Sequence, residues 1–354
     1  MRVRIVCYEK VNSWILGKFA LKMQENLTKL GIDADIDNVP DKSADINHHI
    51  IYGQYQGASE SMDTLMITHL ETSAALSHVR TKLKDAALGI CMSKELALWL
   101  SDMGVDKNKV CYVNPAHDQL VEIKKYVIGL SSRVYADGRK NESNLSRLAK
   151  ELDPKFFLFK IMGDGWDKQV DYLRKMGFEV IYFNSFIKKE YYLMISSLDY
   201  YLYMGKDEGQ MGFIDALAAG VKTIVTQQGY HLDPENAITH PFTTYKELLG
   251  IFIKIQEEKS SLVDSIATWN WLDYTKKHVE LWKYILGDTN IKSDFYDGLN
   301  SLRMMQSLIV NLNKKNIKRQ EWSLKKTRVI YYLRNNLNKE GMIYIIRRML
   351  GRKQ

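Results

Sequence analysis

No run of about 18 consecutive apolar residues occurs, which excludes a membrane-spanning helix among the elements this sequence predicts. Cysteine is scarce: Cys7, Cys91 and Cys111 lie far apart, in apolar or adjoining segments. Their spacing excludes a disulfide framework and a thiolate metal site, and predicts reduced thiols in a core. The opening MRVRIVCYEK lacks the longer apolar stretch and small-residue cleavage site of a signal peptide, so a cytoplasmic protein is expected. Acidic residues are scarce at one end only. Residues 292–354 hold 15 Lys and Arg against four Asp and Glu, leaving 35 against 38 in the rest of the chain. The body is near neutral, and the basic tail points to an anionic partner.

What the sequence does have is an alternation of short apolar runs and amphipathic segments. RVRIVCY (2–8) reads as a strand, VNSWILG (11–17) as a loop, and 18–30 as a helix stopped by Gly31. Gly17 either lets an acceptor or phosphate approach the backbone or serves helix packing. Asp33, Asp35 and Asp37 alternate, so a strand puts all three on one face; a solvated edge strand fits better than a metal site. Strands are expected at 48–53 and 63–69, with His69 at a carboxyl end. More follow at 86–93 and 109–118, with a helix at 94–104 between them. A second series starts with a strand at 125–135 and a basic loop carrying Arg133, Arg139 and Lys140, groups that suit a diphosphate. A strand, a Gly-Asp-Gly turn and a helix over 156–177 come next, then a strand at 178–186 and helices within 190–199 and 241–259. A long helix at 269–286 carries Trp269, Trp271, Leu272, Tyr274, Val279, Trp282 and Ile285 toward a broad buried face.

Residues 200–233, YYLYMGKDEGQMGFIDALAAGVKTIVTQQGYHLD, organise the chain. They read as strand, acidic glycine-rich loop, short helix and strand. Ligands of such units sit at the strand's carboxyl end beside the helix start. That place holds Asp207, Glu208, Gly209, Gly212 and Asp215. The glycines admit close backbone approach, the helix start favours an anion, and the acids accept from hydroxyls. This combination suits a nucleotide sugar.

IGLSSRVYADGRK, KIMGDGWDKQVDYL, DEGQMGFIDALAAGVKTIV and VCYVNPAHD occur in the order of motifs in the retaining, family-4-like GT-B glycosyltransferases (glycosyl transferases group 1), and the chain resembles that family over about 125–286. The resemblance implies an α/β GT-B fold: two Rossmann-like domains facing a cleft, plus a basic helical C-terminal tail. The expected divisions are an acceptor-side domain at 1–124, a nucleotide-sugar domain at 125–268, the helix 269–286 packing back on the first domain, and the tail at 287–354. Arg133 and Lys140 are implied as diphosphate ligands, with Arg139 and Gly163 beside the donor. Asp215 would hold ribose hydroxyls, and the backbone of Gly209, Gln210, Met211, Gly212 and Phe213 would face the phosphates. Glu208 or Asp207 would contact the transferred sugar. His69 resembles the family's first-domain histidine, Gly17 is left on the acceptor side, and Asp118 is structural. No metal or cofactor is expected, because basic side chains take the leaving group's charge.

The tail shows helical periodicity at 299–312 and 329–350. Its basic amphipathic character suits an anionic membrane surface, or alternatively packing on protein. No nucleic-acid motif accompanies the charge, so no nucleic-acid partner is expected. The expected function is a retaining transferase moving a sugar from a nucleotide-diphosphate donor to a glycan, lipid-linked, in bacterial surface polysaccharide synthesis, peripheral on the inner face of the cell membrane. The alternatives are a catalytically silent sugar-binding or scaffold subunit and a sugar-nucleotide epimerase on the same fold.

Overall fold

The computed structural model describes residues 1–288, apart from Ser13, His69 and Glu71, together with Trp322 and Lys326. The expectations for His69 and for the tail therefore lie outside the described residues. The described chain forms two units, residues 1–118 with 268–288 and residues 119–267.

The first unit is built on six strands: β1 (Arg2–Val6), β2 (Asp33–Asp37), β3 (Ile46–His49), β4 (Met62–Ile67), β5 (Leu88–Cys91) and β6 (Val110–Tyr112). They pair in parallel in the order β2-β1-β3-β4-β5-β6, with α1 (Ile15–Lys29), α2 (Ser73–Asp85) and α3 (Lys94–Asp102) as connections. A parallel sheet is covered on both faces, so its inner strands are buried along their length; β5 is wholly buried and β4 is buried after its first residue. Thr72 and Ser93 cap α2 and α3 by accepting from Ala75 and Leu96 amides. The acidic strand β2 lies at the sheet edge. Its aspartates meet arginines: Arg2 and Arg4 stand in register with Asp33 and Asp35, and Arg4 grips Asp35 at 2.6 and 2.9 Å. All three cysteines are free and buried.

The second unit holds β7 (Tyr126–Ser131), α4 (Ser143–Glu151), β8 (Phe157–Met162), α5 (Asp167–Lys175), β9 (Glu179–Phe183) and α6 (Lys188–Ser196). Next come β10 (Tyr200–Tyr203), α7 (Met211–Ala218), β11 (Lys222–Thr226), β12 (His240–Phe242) and α8 (Tyr245–Asp264). The parallel order is β12-β11-β10-β7-β8-β9, so the strand order reverses between β7 and β10. In such sheets that reversal opens the ligand crevice. These are the two Rossmann-like sheets that the resemblance implies. Strand β12 was not anticipated: it is three residues long and contains Pro241, which only an edge position tolerates.

After β12 and α8 the chain returns to the first unit as α9 (Trp271–Ile285). Trp271, Tyr274, Val279 and Trp282 are buried as the periodicity predicts, whereas Leu272 is 37% exposed and turns outward. Trp271 packs edge-on to Phe19 at 5.0 Å, and its Nε1 donates to Asp118 at 2.8 Å. Asp118 also pairs with Lys18, so it ties α9 to α1.

Beneath α9, His48 and His278 meet at 5.1 Å, and the Nε2 of each is buried without a partner. Burial, then the neighbouring His278 and His49, push His48 well below its ordinary value. Burial pushes His278 down to about 4. Both are neutral in the folded chain, while the unfolded chain protonates them near pH 6.5. The unfolded state therefore gains protons first as pH falls, and stability declines from about pH 6.5 toward pH 4. The urea midpoint should fall over that window, and His278→Phe should flatten the slope whatever it does to the midpoint. A midpoint that stays level from pH 7 to 4.5 contradicts this reading.

Candidate functional site

At the carboxyl ends of β7, β8 and β9 the second unit holds a cavity of about 690 Å³. Its lining is Ser131–Arg133, Met162–Asp164, Asn184–Phe186, Tyr191, Tyr192, Gln210–Gly212 and Asp215. These segments come from five places in the chain, brought together by the strand order.

Close backbone approach makes the site. A Cβ on Gly212 would stand 2.2 Å from Ser131 Oγ and 2.3 Å from Tyr201 Oη, so only glycine lets α7 begin against the end of β7. Gln210 secures this from the side: its Nε2 donates to the Ser131 carbonyl at 2.5 Å. Gly163 has φ +138°, and a Cβ there would meet the Ser132 carbonyl at 2.0 Å. At the start of α7, Gln210 N donates to His231 Nε2 (3.0 Å) and Phe213 N to the Gln210 carbonyl (2.9 Å). Met211 and Gly212 are left as first-turn amides without an intrahelical acceptor, the end that favours an anion.

His231 is fully buried between these groups. Its Nδ1 faces the Thr226 carbonyl at 3.2 Å, so Nδ1 carries the proton and Nε2 accepts. Burial pushes its pKa down and keeps the ring neutral. Asp215 accepts from Tyr191 Oη at 2.5 Å, which leaves its other oxygen for a ligand. Burial, then the hydrogen bond to Asp215, holds the Tyr191 phenol protonated.

The charged groups separate into two sets. Arg133 and Asp164 are exposed at the cavity and 3.3 Å apart. Lys140 stands outside the lining. Its side chain is 6% exposed, and its ammonium donates to Asp207 at 2.7 Å and to Tyr203 Oη at 2.9 Å. Burial opposes ionisation of Asp207, but hydrogen bonds from Lys140 and Tyr203 outweigh it and hold the carboxyl below its ordinary value. The same two loops are joined by Lys206 N to the Arg139 carbonyl (2.8 Å) and Asn141 Nδ2 to the Met204 carbonyl (2.7 Å). Arg139 lies 4.0 Å over the Tyr135 ring and pairs with Asp137. Glu208 is exposed, and its carboxylate bonds to none of the described residues.

Of the residues singled out from sequence, Arg133, Gly163, Gln210, Met211, Gly212 and Asp215 line the cavity. Lys140, Arg139, Glu208, Gly209 and Phe213 do not line it. Gly17 belongs to the first unit. Its missing side chain makes room for the chain's own Val11 carbonyl, which a Cβ would meet at 2.1 Å. Ser131, Asn184 and Tyr191 escaped the sequence reading, although a polar residue ending an apolar strand run was a usable signal for the first two. His231 left none.

No family model matches the chain, and no curated protein does. Solved structures do show similarity. One is the apo form of the lipopolysaccharide outer core galactosyltransferase WaaB, at 12% identity and TM-score 0.33 over 79% of this chain and 98% of that one. Another is Anabaena Alr3699/HepE in complex with UDP and glucose, at 11% and 0.31 over 79% and 99%. A third is sucrose-phosphate synthase from Thermosynechococcus elongatus, at 11% and 0.33 over 81% and 99%. At these values the likenesses carry no weight of their own; the sheet orders and the cavity do.

The two adjacent acids should behave differently on removal. Asp207→Ala leaves a nearly buried ammonium without its countercharge and should cost about 2–3 kcal/mol. Glu208→Ala should change stability by no more than about 0.5 kcal/mol. Equal losses in chemical denaturation would contradict the assignment of Asp207 to the Lys140 pair.

Proposed function

We propose that the chain is a glycosyltransferase that binds a nucleotide-diphosphate sugar in the second unit and moves the sugar to a glycan acceptor. The observation that carries this is convergence. Three of the motif segments picked out in order along the sequence, around Arg133, Gly163 and Gln210–Asp215, meet at one cavity on the strand-order reversal.

Each group has a part. The free oxygen of Asp215 accepts from ribose hydroxyls. Phe186 and Tyr192 offer flat apolar surface to a base. Arg133 and the amides of Met211 and Gly212 face the diphosphate. In the reaction the bond between the anomeric carbon and the diphosphate oxygen breaks with its electron pair leaving on that oxygen, an acceptor hydroxyl oxygen bonds to the anomeric carbon, and the hydroxyl's proton passes to the departing diphosphate. Donors already aimed there stabilise the new charge without reorganising. In this reading they replace a metal ion. Lys140 acts from behind the site: paired with Asp207, it fixes the loop that presents Glu208, the carboxylate left to contact the transferred sugar. Configuration is retained at the anomeric carbon, and residues 292–354 hold the enzyme on an anionic membrane, where a lipid-linked acceptor is found.

Thermal unfolding with UDP, GDP, dTDP, CDP or ADP, each with and without EDTA, tests the donor side. A ligand that binds only the folded state raises the melting temperature, by about 2.7 kcal/mol of stability at a hundred times its Kd. One nucleotide should stand out, EDTA should not matter, and Asp215→Ala should abolish the shift. No shift from any nucleotide overturns the proposal. For the tail, deletion of 292–354 should release the protein from anionic liposomes in co-sedimentation; a truncated protein that still pellets shows the anchor lies elsewhere.

A further inference from the structure

We propose that Tyr8 and Glu9 form a hydroxyl-binding site for a sugar at the strand-order reversal of the first sheet, its polarity set by Asp63 through His49. This deepens the transferase reading, on which it rests, by naming groups that would receive the acceptor.

The argument starts at Asp63, which is 2% exposed. Its two oxygens meet four donors: His49 Nε2 at 3.0 Å, Tyr55 Oη at 3.1 Å, Ser59 N at 2.6 Å and Ser59 Oγ at 2.9 Å. Burial opposes its ionisation, but the hydrogen bonds from His49 and Ser59 prevail and hold it below its ordinary value. An ionised carboxylate only accepts. His49 therefore carries a proton on Nε2, and in the neutral ring Nδ1, 3.0 Å from Tyr8 Oη, accepts the phenol proton. Burial, then the charge of Asp63, keeps that phenol protonated.

With its proton directed inward, the Tyr8 oxygen can offer only lone pairs to anything outside. The next residue adds a second acceptor. Glu9 Oε2 is shielded from water and meets no donor among the described residues. An unmatched buried acceptor costs about 1–3 kcal/mol. Both residues follow the end of β1, where the strand order turns between β1 and β3, the place where such sheets bind ligands. A ligand that matches two acceptors beside a carboxylate brings hydroxyl donors and no negative charge. Trp14, in the same β1–α1 connection and 69% exposed, adds a flat apolar face of the kind a sugar ring packs on.

Saturation-transfer NMR on the full chain, with the methyl α-glycosides of glucose, galactose, mannose and N-acetylglucosamine, tests this. At least one glycoside should bind the wild-type chain. Tyr8→Phe removes a single oxygen and should weaken that binding at least about fivefold; it also leaves His49 Nδ1 without its donor, so the melting temperature should fall, while the nucleotide-induced shift stays unchanged. Long-range proton–nitrogen spectra should show His49 protonated at Nε2 and bare at Nδ1. Equal binding by Tyr8→Phe, no glycoside binding by the wild type, or the opposite His49 tautomer would each overturn the proposal. A missing nucleotide shift alongside Tyr8-dependent glycoside binding would remove the transferase reading and leave the sugar site standing.

Discussion

The second unit depends on helix α7 beginning in contact with the end of β7. Without a side chain at Gly212, the first turn of the helix reaches Ser131 and Tyr201. Its free amides are thereby delivered to the crevice floor, and Asp215 follows one turn later beside Tyr191. His231 and the Gln210 side chain hold this start from two directions. None of these contacts is strong alone. Together they set a helix end at the cavity without asking a loop to close, and such preorganisation is what electrostatic stabilisation requires.

In both units a carboxylate that never needs to touch a ligand decides how its neighbours face one. Asp207 draws Lys140 under the loop and keeps the exposed acid beside it free. Asp63, saturated with donors, fixes the direction of a hydrogen bond two groups away at Tyr8. A buried acid such as Asp63 costs desolvation and repays it only when its lone pairs are matched. That condition makes its surroundings stiff and their polarity definite.

Much of this was legible in the sequence. Apolar runs alternating with amphipathic segments predicted both parallel sheets. The acid-glycine segment pointed to α7's start because a glycine followed by a short helix has few other uses. Partnership was harder to read. Arg133, Arg139 and Lys140 look alike in sequence, yet one lies at the cavity, one on Tyr135 and one nearly buried against Asp207. Which cation is buried depends on where β10 delivers its loop, a long-range fact that local pattern does not encode. His231 and the Tyr8–His49–Asp63 chain are illegible for the same reason.

Helix α9 carries a consequence for biosynthesis. The core of the first unit includes Trp271, Tyr274 and Trp282, residues made only after the whole of the second unit has been translated. The second unit is continuous in sequence and has its own apolar core. On the ribosome it can complete while the first unit still exposes the groove between Phe19 and Met66 that α9 fills. The usual amino-to-carboxyl order of domain completion is thereby reversed. A nascent chain stalled before residue 271 would present a finished second unit and an unfinished, sticky first one, a state for which a chaperone is the natural companion.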